Sequence, residues 1–590
     1  MAVIYLTDEN DQFRPSLSTS ADVIYGLDGN DAISAGNGDD TVYGGAGTDD
    51  LRGGEGDDTI YGGSGNDLIG GYEGYDVAYS EDGDDKISAD EAYGGAGNDE
   101  LYGQLIAMGG VGDDYYSVNG NSLVITELPD EGYDHVLFSG GAGSTYTLTD
   151  NIEQGTLGSQ NISATLIGNG GDNLLRIYTD FGNTSWTGTL NGAGGSDELY
   201  GGGSRAVILG GGSGDDTFYD NLTEGSFYDG GDGLDTFRVW SQSVLTTGFD
   251  IDLSDSSIFL NTENVIGSVF QDSITGSAAG NALDGQGGAD MISGLAGNDV
   301  LTGGADNDTL LGNDGDDVLE GGNGNDTLNG GSGADQLLGG RNNDTLIANG
   351  GADYAAGGTG DDRYVVSDLS ATLVELSDQG TDEVRTSIDW SLGANFENLS
   401  SRGVGLALTG NLAANVITGD QGNNIIDGMD GDDVISGGSG DDYIKGSRGN
   451  DNLRGEAGAD LLNGGIGRDN LAGGFGQDTM IGGTDTDVFL WATVLETGQS
   501  IFTADIIEDF SSIEQDKIDL SGIDANSISV GNQGFTFIST SLFSGTAGQL
   551  RTFHRDGNTF LAGDVNGDAS PDFMIKLTGT ISLTASDFVL

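Results

Sequence analysis

In three stretches of the chain one large aliphatic residue returns at every ninth position, set among glycines and polar residues. From Gly267 to Val365 the sequence runs in register as eleven nonapeptides of the form G-G-x-G-x-D-x-U-x, where U is the aliphatic residue. Gly321-Gly-Asn-Gly-Asn-Asp326-Thr-Leu328-Asn is a clean copy. The eighth positions are Ile274, Leu283, Ile292, Leu301, Leu310, Leu319, Leu328, Leu337 and Leu346, fading to Ala355 and Tyr364. Nine more repeats span Gly410 to Leu490, and a third block covers Gly26 to Ser88. Each x-U-x triplet predicts a very short strand with one inward side chain. Such a strand cannot bury its apolar residue alone, so repeats must stack, alternate nonapeptides joining opposite sheets at about 18 residues per coil. At ~4.8 Å per coil the middle block predicts about 5.5 coils and a roll roughly 26 Å long. Glycines at positions one, two and four permit the positive φ angles and close backbone approach of a tight turn.

The sixth position changes the picture from packing to electrostatics. In the middle block it holds Asp272, Asn281, Asp290, Asp299, Asp308, Asp317, Asp326, Asp335, Asp344, Asp353 and Asp362. The block from Gly410 has Asn415 and Asn424, then Asp433, Asp442, Asp451, Asp460, Asp469, Asp478 and Asp487. The first block has Asp31, Asp40, Asp49, Asp58 and Asp67, and broken copies follow at Asp85, Asp99, Asp114, Asp197, Asp216 and Asp235. Stacked turns place a carboxylate every coil along each edge, which is repulsive without a counter-ion. The whole chain shares this excess: 97 Asp and Glu against 18 Lys and Arg give a net charge of −79 in 590 residues. That charge argues against a nucleic-acid binder working through basic patches. With 110 glycines and only 3 prolines the chain is neither collagen-like nor Pro-rich. It has no cysteine, which excludes disulfides, thiolate zinc sites and cysteine nucleophiles, so a metal is the remaining staple. Hard cations take six to eight oxygen ligands, and a glycine turn exposes backbone carbonyls beside the Asp carboxylate, a set suited to many calcium ions. The Asn residues supply a neutral oxygen donor at the block edges.

These repeats resemble the RTX, or haemolysin-type calcium-binding, family. The resemblance implies an all-β fold of parallel β-roll solenoid blocks with calcium between successive turns on each edge. A disordered acidic linker would not lock an aliphatic residue to every ninth place. The periodicity places a β-roll at 1–114, irregular repeats and a β spacer at 192–266, and rolls at 267–365 and 410–490. Segments 115–191 and 366–409 read as small β-rich spacers, and they are copies of one another at an offset of 248. Asp114, Tyr116, Val118, Glu127, Leu128, Asp130, Gly132, Asp134 and Val136 meet Asp362, Tyr364, Val366, Glu375, Leu376, Asp378, Gly380, Asp382 and Val384. After a four-residue shift Leu148, Asn151 and Glu153 meet Leu392, Asn395 and Glu397. His135 stands where the other copy has Glu383, which argues against a shared catalytic role, and His554 lies beside an expected hairpin turn.

From 491 onward glycine thins and aromatic residues increase. Asp505-Ile-Ile-Glu-Asp-Phe510, Asp516-Lys-Ile-Asp-Leu-Ser521, Gly548-Gln-Leu550, Gly563-Asp-Val-Asn-Gly-Asp568 and Asp587-Phe-Val-Leu590 resemble the C-terminal domain of serralysin-type secreted proteins. The resemblance implies a cap over 491–590 that carries an uncleaved type I secretion signal. Asp564, Asn566, Asp568 and Asp572 have the spacing that opens a calcium loop, but Ile575 stands near the place of its closing Glu, and a solvated loop is an equal reading. Serralysins are zinc proteases, yet H-E-x-x-H is absent and two isolated histidines do not make a catalytic zinc shell. No catalytic residue and no organic cofactor site is assigned. Apolar runs fall well short of the ~20 residues that span a bilayer. The start, Met1 to Asp8, lacks the basic and apolar regions of a cleavable signal. The expectation is therefore an extracellular or cell-surface, calcium-dependent structural protein, exported without an N-terminal signal peptide. Its expected partners are identical chains, in a surface layer or matrix, and the type I secretion machinery. An adhesin directed to cell-surface polysaccharide is the alternative, and an undetected hydrolase or lyase the third reading.

Overall fold

The computed structural model describes residues 1–14, 19–120, 122–158, 163–178, 187–202, 206–240 and 247–590. Parts of the segments expected as 115–191 and 192–266 thus lie outside the described residues. The chain divides into two compact units, Met1–Gln286 and Gly287–Leu590. Among the described residues it is all-β, the exceptions being the short 3-10 turns Val494–Glu496 and Ala585–Asp587.

In the first unit successive strands alternate between two parallel ladders. One runs Val3–Tyr5, Val23–Asp28, Thr41–Ala46, Thr59–Ser64, Val77–Asp82, Glu91–Ala96, Ile106–Val111 and Val124–Ile125. The other takes the intervening strands, such as Ala32–Asn37, Asp50–Glu55 and Leu68–Glu73, each displaced by one nonapeptide. The second unit repeats the arrangement, with Val300–Ala305, Val318–Asn323, Gln336–Arg341 and Tyr354–Thr359 in one ladder. Met291–Ala296, Thr309–Asp314, Thr327–Ser332 and Thr345–Ala348 form the other. The inward column is the eighth-position set: Leu301, Leu319 and Leu337 face Leu310, Leu328 and Leu346, and none is exposed to solvent.

The strands are longer than the expected triplet. Val318–Asn323 starts at the seventh position of one repeat and ends at the third of the next, with alternating burial. Its pairing with Gln336–Arg341 joins Val318, Leu319 and Glu320, skips Gly321, and resumes at Gly322 and Asn323. The break falls at position one, where the backbone turns to face the aspartate of its own repeat.

The irregular segments are built into the same ladders. Tyr115–Val118 pairs with Glu100–Leu101 on one side and His135–Phe138 on the other. Arg363–Val366, Glu383–Thr386, Asn398–Ser401 and Val416–Thr418 likewise run on from the regular block. Extra residues are accommodated in the loops, because the closure entropy of a loop rises only slowly with its length.

At the end of the second unit the sheet changes sense. Asp505–Ile507 pairs parallel with Phe573–Leu577, after which Asn558–Asp564 and Gln549–Arg555 pair antiparallel. The terminal Phe588–Val589 closes the other ladder beside Lys517–Asp519. Trp491, fully buried, donates its indole N–H to Asp505 Oδ2 at 2.7 Å and so ties the roll to these closing strands.

Candidate calcium sites

Every position-six aspartate of the sequence pattern is buried, and most of them sit in continuous columns. Asp31, Asp49, Asp67, Asp85, Asp99, Asp114 and Asp134 form one column: each backbone N–H donates to Oδ1 of the next, at 2.6–2.9 Å. Asp22, Asp40, Asp58 and Asp76 form the opposite edge of that roll. Asn173 leads into Asp197, Asp216 and Asp235. In the second unit the columns run Asp290, Asp308, Asp326, Asp344, Asp362, Asp382 and Asp299, Asp317, Asp335, Asp353. Further along, Asn415, Asp433, Asp451, Asp469, Asp487, Asp516 and Asn424, Asp442, Asp460, Asp478, Asp505 continue to the closing strands.

This pattern uses one carboxylate oxygen and strands the other. Oδ2 of Asp49, Asp67, Asp99, Asp317, Asp335, Asp451 and Asp469, among others, is buried with no hydrogen-bond partner. A point one bond out from the position-one glycine shows what faces that oxygen. A Cβ added at Gly312 would lie 2.3 Å from Asp317 Oδ2 and 2.4 Å from the Gly330 carbonyl one coil on. At Gly446 the same two atom types, Asp451 Oδ2 and the Gly464 carbonyl, lie at 2.2 and 2.7 Å. A carboxylate oxygen and a backbone carbonyl converging without a donor between them is a cradle for a hard cation, and the residues present fit calcium.

The electrostatics agree. Burial, opposed by the backbone N–H bond and reinforced by neighbouring aspartates, pushes the carboxyls of Asp58, Asp67, Asp114 and Asp469 up to about 7. The same causes bring Asp99 and Asp344 up to about 8. These columns hold charge poorly by themselves, and a bound divalent ion reverses that balance.

Some positions differ. Asp272 uses both oxygens locally, Oδ1 accepting from the Phe249 N–H and Oδ2 from the Ser268 N–H, each at 2.6 Å. The asparagines act as donors more than as the expected neutral oxygen ligands: Asn281 Nδ2 donates to the Glu263 carbonyl at 2.7 Å and Asn415 Nδ2 to the Phe396 carbonyl at 3.1 Å. An amide N–H there meets the kind of backbone carbonyl that a cation would meet beside aspartate. The loop Asp564 to Asp572 closes on itself, with Asp564 accepting from the Gly567 and Ala569 N–H groups and Asp572 from Val565. His135 Nε2 hydrogen-bonds Thr156 Oγ1 and His554 Nδ1 hydrogen-bonds Thr559 Oγ1, two separate strand positions.

Residues that the sequence did not assign as ligands join the columns: Asp22, Asp76, Asp134, Asp382, Asp505 and Asp516. Asp76 is the sixth residue of Gly71 to Tyr79, so strict counting finds it. Asp22, nine residues before Asp31, is found in the same way, and the others follow loops of non-standard length, which counting cannot cross. Three columns end on glutamate, where Glu153, Glu263 and Glu397 accept the N–H of Asp134, Asp235 and Asp382.

The family of the RTX calcium-binding nonapeptide repeat matches the chain within residues 18–78, 86–105, 266–364 and 409–489. Among solved structures, the AlgE6R3 subunit from the Azotobacter vinelandii mannuronan C5-epimerase is 26% identical, over 34% of this chain and 80% of that one, with a TM-score of 0.14. No curated protein matches the sequence. No helix is long and apolar enough to cross a membrane.

Proposed function

Starting from a chain that carries RTX calcium-binding nonapeptide repeats, we propose a secreted structural protein that folds on binding calcium and then assembles with copies of itself at the cell surface, in a surface layer or matrix. The observation that carries this reading is the columns of buried aspartates, in the regular coils with one oxygen held by the backbone and the other left without a donor, turned to a carbonyl at Asp317 and Asp451. The position-six aspartates are the proposed ligands, and calcium supplies the charge that the 97 acids lack in basic partners. Without it the columns must either protonate or repel, so the unliganded chain is held open. Export through a type I route is supported by the serralysin-like motifs of 491–590, which form the closing strands of the second unit.

Assembly follows from the same neutralisation. Once calcium removes the repulsion, sheet surfaces and shared ions can join chains, and contacts that do not close into a ring propagate as filaments or sheets. Millimolar calcium, more than magnesium, should turn purified protein from open monomers into ordered arrays visible by electron microscopy. Folded monomers at every calcium concentration would overturn the assembly reading and favour the polysaccharide-binding adhesin, which retention on a glycan array then tests.

A further inference from the structure

We infer that two sites of a different kind, one in each unit, hold a divalent cation through three carboxylates: Asp114, Glu127 and Asp134, and Asp362, Glu375 and Asp382. In each trio the first aspartate, Asp114 or Asp362, holds position six of a nonapeptide, while the glutamate and the second aspartate lie beyond the regular spacing, and the inference stands whether or not the protein assembles.

In each trio the three ligand oxygens lie within 4.8 Å of one another and all three residues are buried. Along the regular edges each carboxylate meets chiefly backbone, whereas here a glutamate from the inserted loop enters beside two successive column aspartates. In the first trio each residue uses one oxygen to hold the backbone, and in the second Asp362 and Asp382 do the same while Glu375 Oε1 accepts from the Tyr364 hydroxyl. Asp114 Oδ1 accepts from the Asp99 N–H at 2.7 Å, Asp134 Oδ1 from the Asp114 N–H at 2.9 Å, and Glu127 Oε1 from the Gly109 N–H at 3.0 Å. That leaves Asp114 Oδ2 and Glu127 Oε2 buried without a partner, and in the other copy Asp362 Oδ2 and Glu375 Oε2 are left in the same way. No Lys or Arg among the described residues forms an ion pair with any of the six.

The surroundings are duplicated with the ligands. The core position that holds leucine or isoleucine in regular coils is Tyr116 in one copy and Tyr364 in the other, both wholly buried. Their hydroxyls accept the N–H of Gly109 and Gly357, and the Tyr364 hydroxyl donates to Glu375. Asn151 and Asn395, from the following coil, each donate to the backbone carbonyl of the glutamate at 2.9 Å and fix the loop that carries it. Three buried carboxylates with two unpartnered oxygens concentrate more negative charge than a single-aspartate cradle, and affinity in oxygen cages rises with ligand charge. The trios should therefore fill first as calcium is added.

The test is calcium titration of the full chain against a chromophoric chelator, in wild type and in the double variant Glu127→Gln, Glu375→Gln. The expected result is a first class of two ions per chain that weakens tenfold or more in the double variant, while the remaining sites shift less than twofold. A first class that does not change would overturn the inference. So would a uniform shift of all sites, because the glutamates would then act on the fold alone. Should the double variant fail to reach the wild-type circular dichroism spectrum at saturating calcium, terbium decides. Two equivalents added to wild type should luminesce under tyrosine excitation, and the pair Tyr116→Phe, Tyr364→Phe should lose that emission. Equal emission from both proteins would place the first ions elsewhere. Either failure leaves calcium-dependent folding and assembly standing, since those rest on the regular columns.

Discussion

A single nonapeptide shows how each residue type is placed by a different constraint. Position four is conformational: Gly315, Gly324 and Gly333 have φ between 139° and 144°, and the ideal Cβ of Gly324 would fall 1.8 Å from a carbonyl. Position two is also left-handed, yet Leu295, Asn313 and Ser447 occupy it at φ of 75–83° by rotating away from the glycine value, at a strain of about 1 kcal/mol each. Position one is steric, since its Cβ would displace the aspartate oxygen, and only Ala35, Ser80 and Ala348 replace glycine in the regular blocks. Gly312→Val should therefore weaken calcium binding at Asp317 while leaving distant coils intact, as local hydrogen exchange can report. Asp317→Asn should behave unlike Asp317→Ala: following Asn415, its amide can bond a carbonyl, so the variant should fold more readily in chelator while binding one ion fewer. Equal chelator stability in the two variants would contradict the donor role of asparagine. The raised carboxyls also set a pH dependence. A group whose folded-state value lies near 7 while its unfolded value is near 4 takes up protons on folding, so the calcium-free roll is favoured below about pH 4 to 7 and lost as pH rises through 7 to 8. Circular dichroism in chelator should show more β-structure at pH 5 than at pH 8, and calcium midpoints should rise on acidification as protons compete for the same oxygens.

At the scale of the element, a coil is defined by its inward residue and its aspartate, and the loop length is free. Successive column steps are 18 residues in regular rolls, 14 from Asp85 to Asp99, 24 from Asn173 to Asp197 and 29 from Asp487 to Asp516. Each strand is stabilised mainly by its neighbours, so damage should remain local. Leu319→Ala empties a fully buried site between Leu301 and Leu337 and should cost about 2 to 5 kcal/mol, read as raised hydrogen exchange in the adjoining coils while the first unit stays protected. On the outer face of one ladder of the first unit Tyr5, Tyr25, Tyr43, Tyr61, Tyr79 and Tyr93 stack with ring centroids 4.7–5.2 Å apart. Removing the middle ring in Tyr61→Ala breaks two stacked pairs, each worth about 0.5–1.5 kcal/mol, and should lower the thermal midpoint of the first unit.

For the whole molecule, charge and edges decide behaviour. A net charge of −79 should keep calcium-free chains apart, and calcium saturation should weaken that repulsion. The antiparallel strands Gln549–Arg555 and Asn558–Asp564 cover one ladder end and Phe588–Val589 the other. Deleting residues 491–590 should expose Thr479–Thr484 and Val488–Leu490 as open edges, and the calcium-loaded remainder should aggregate without order in light scattering. Ordered arrays from that truncated chain would show that the closing strands play no part in preventing edge-to-edge pairing.

The nine-residue recurrence by itself determined the all-β class, the stacked coils, the aliphatic core and the sixth-position carboxylates, because each of these depends on residues close together in the chain. Tertiary structure decided the rest. That segments such as 115–158 and 366–409 extend the ladders, that asparagine donates where aspartate accepts, and that Glu127 reaches Asp114 and Asp134 all depend on which residues meet after one coil. The coil length varies from 14 to 29 residues, so those meetings have no constant spacing that a periodic reading could follow. Backbone pairing between coils sets them, and that pairing exists only once the chain has stacked.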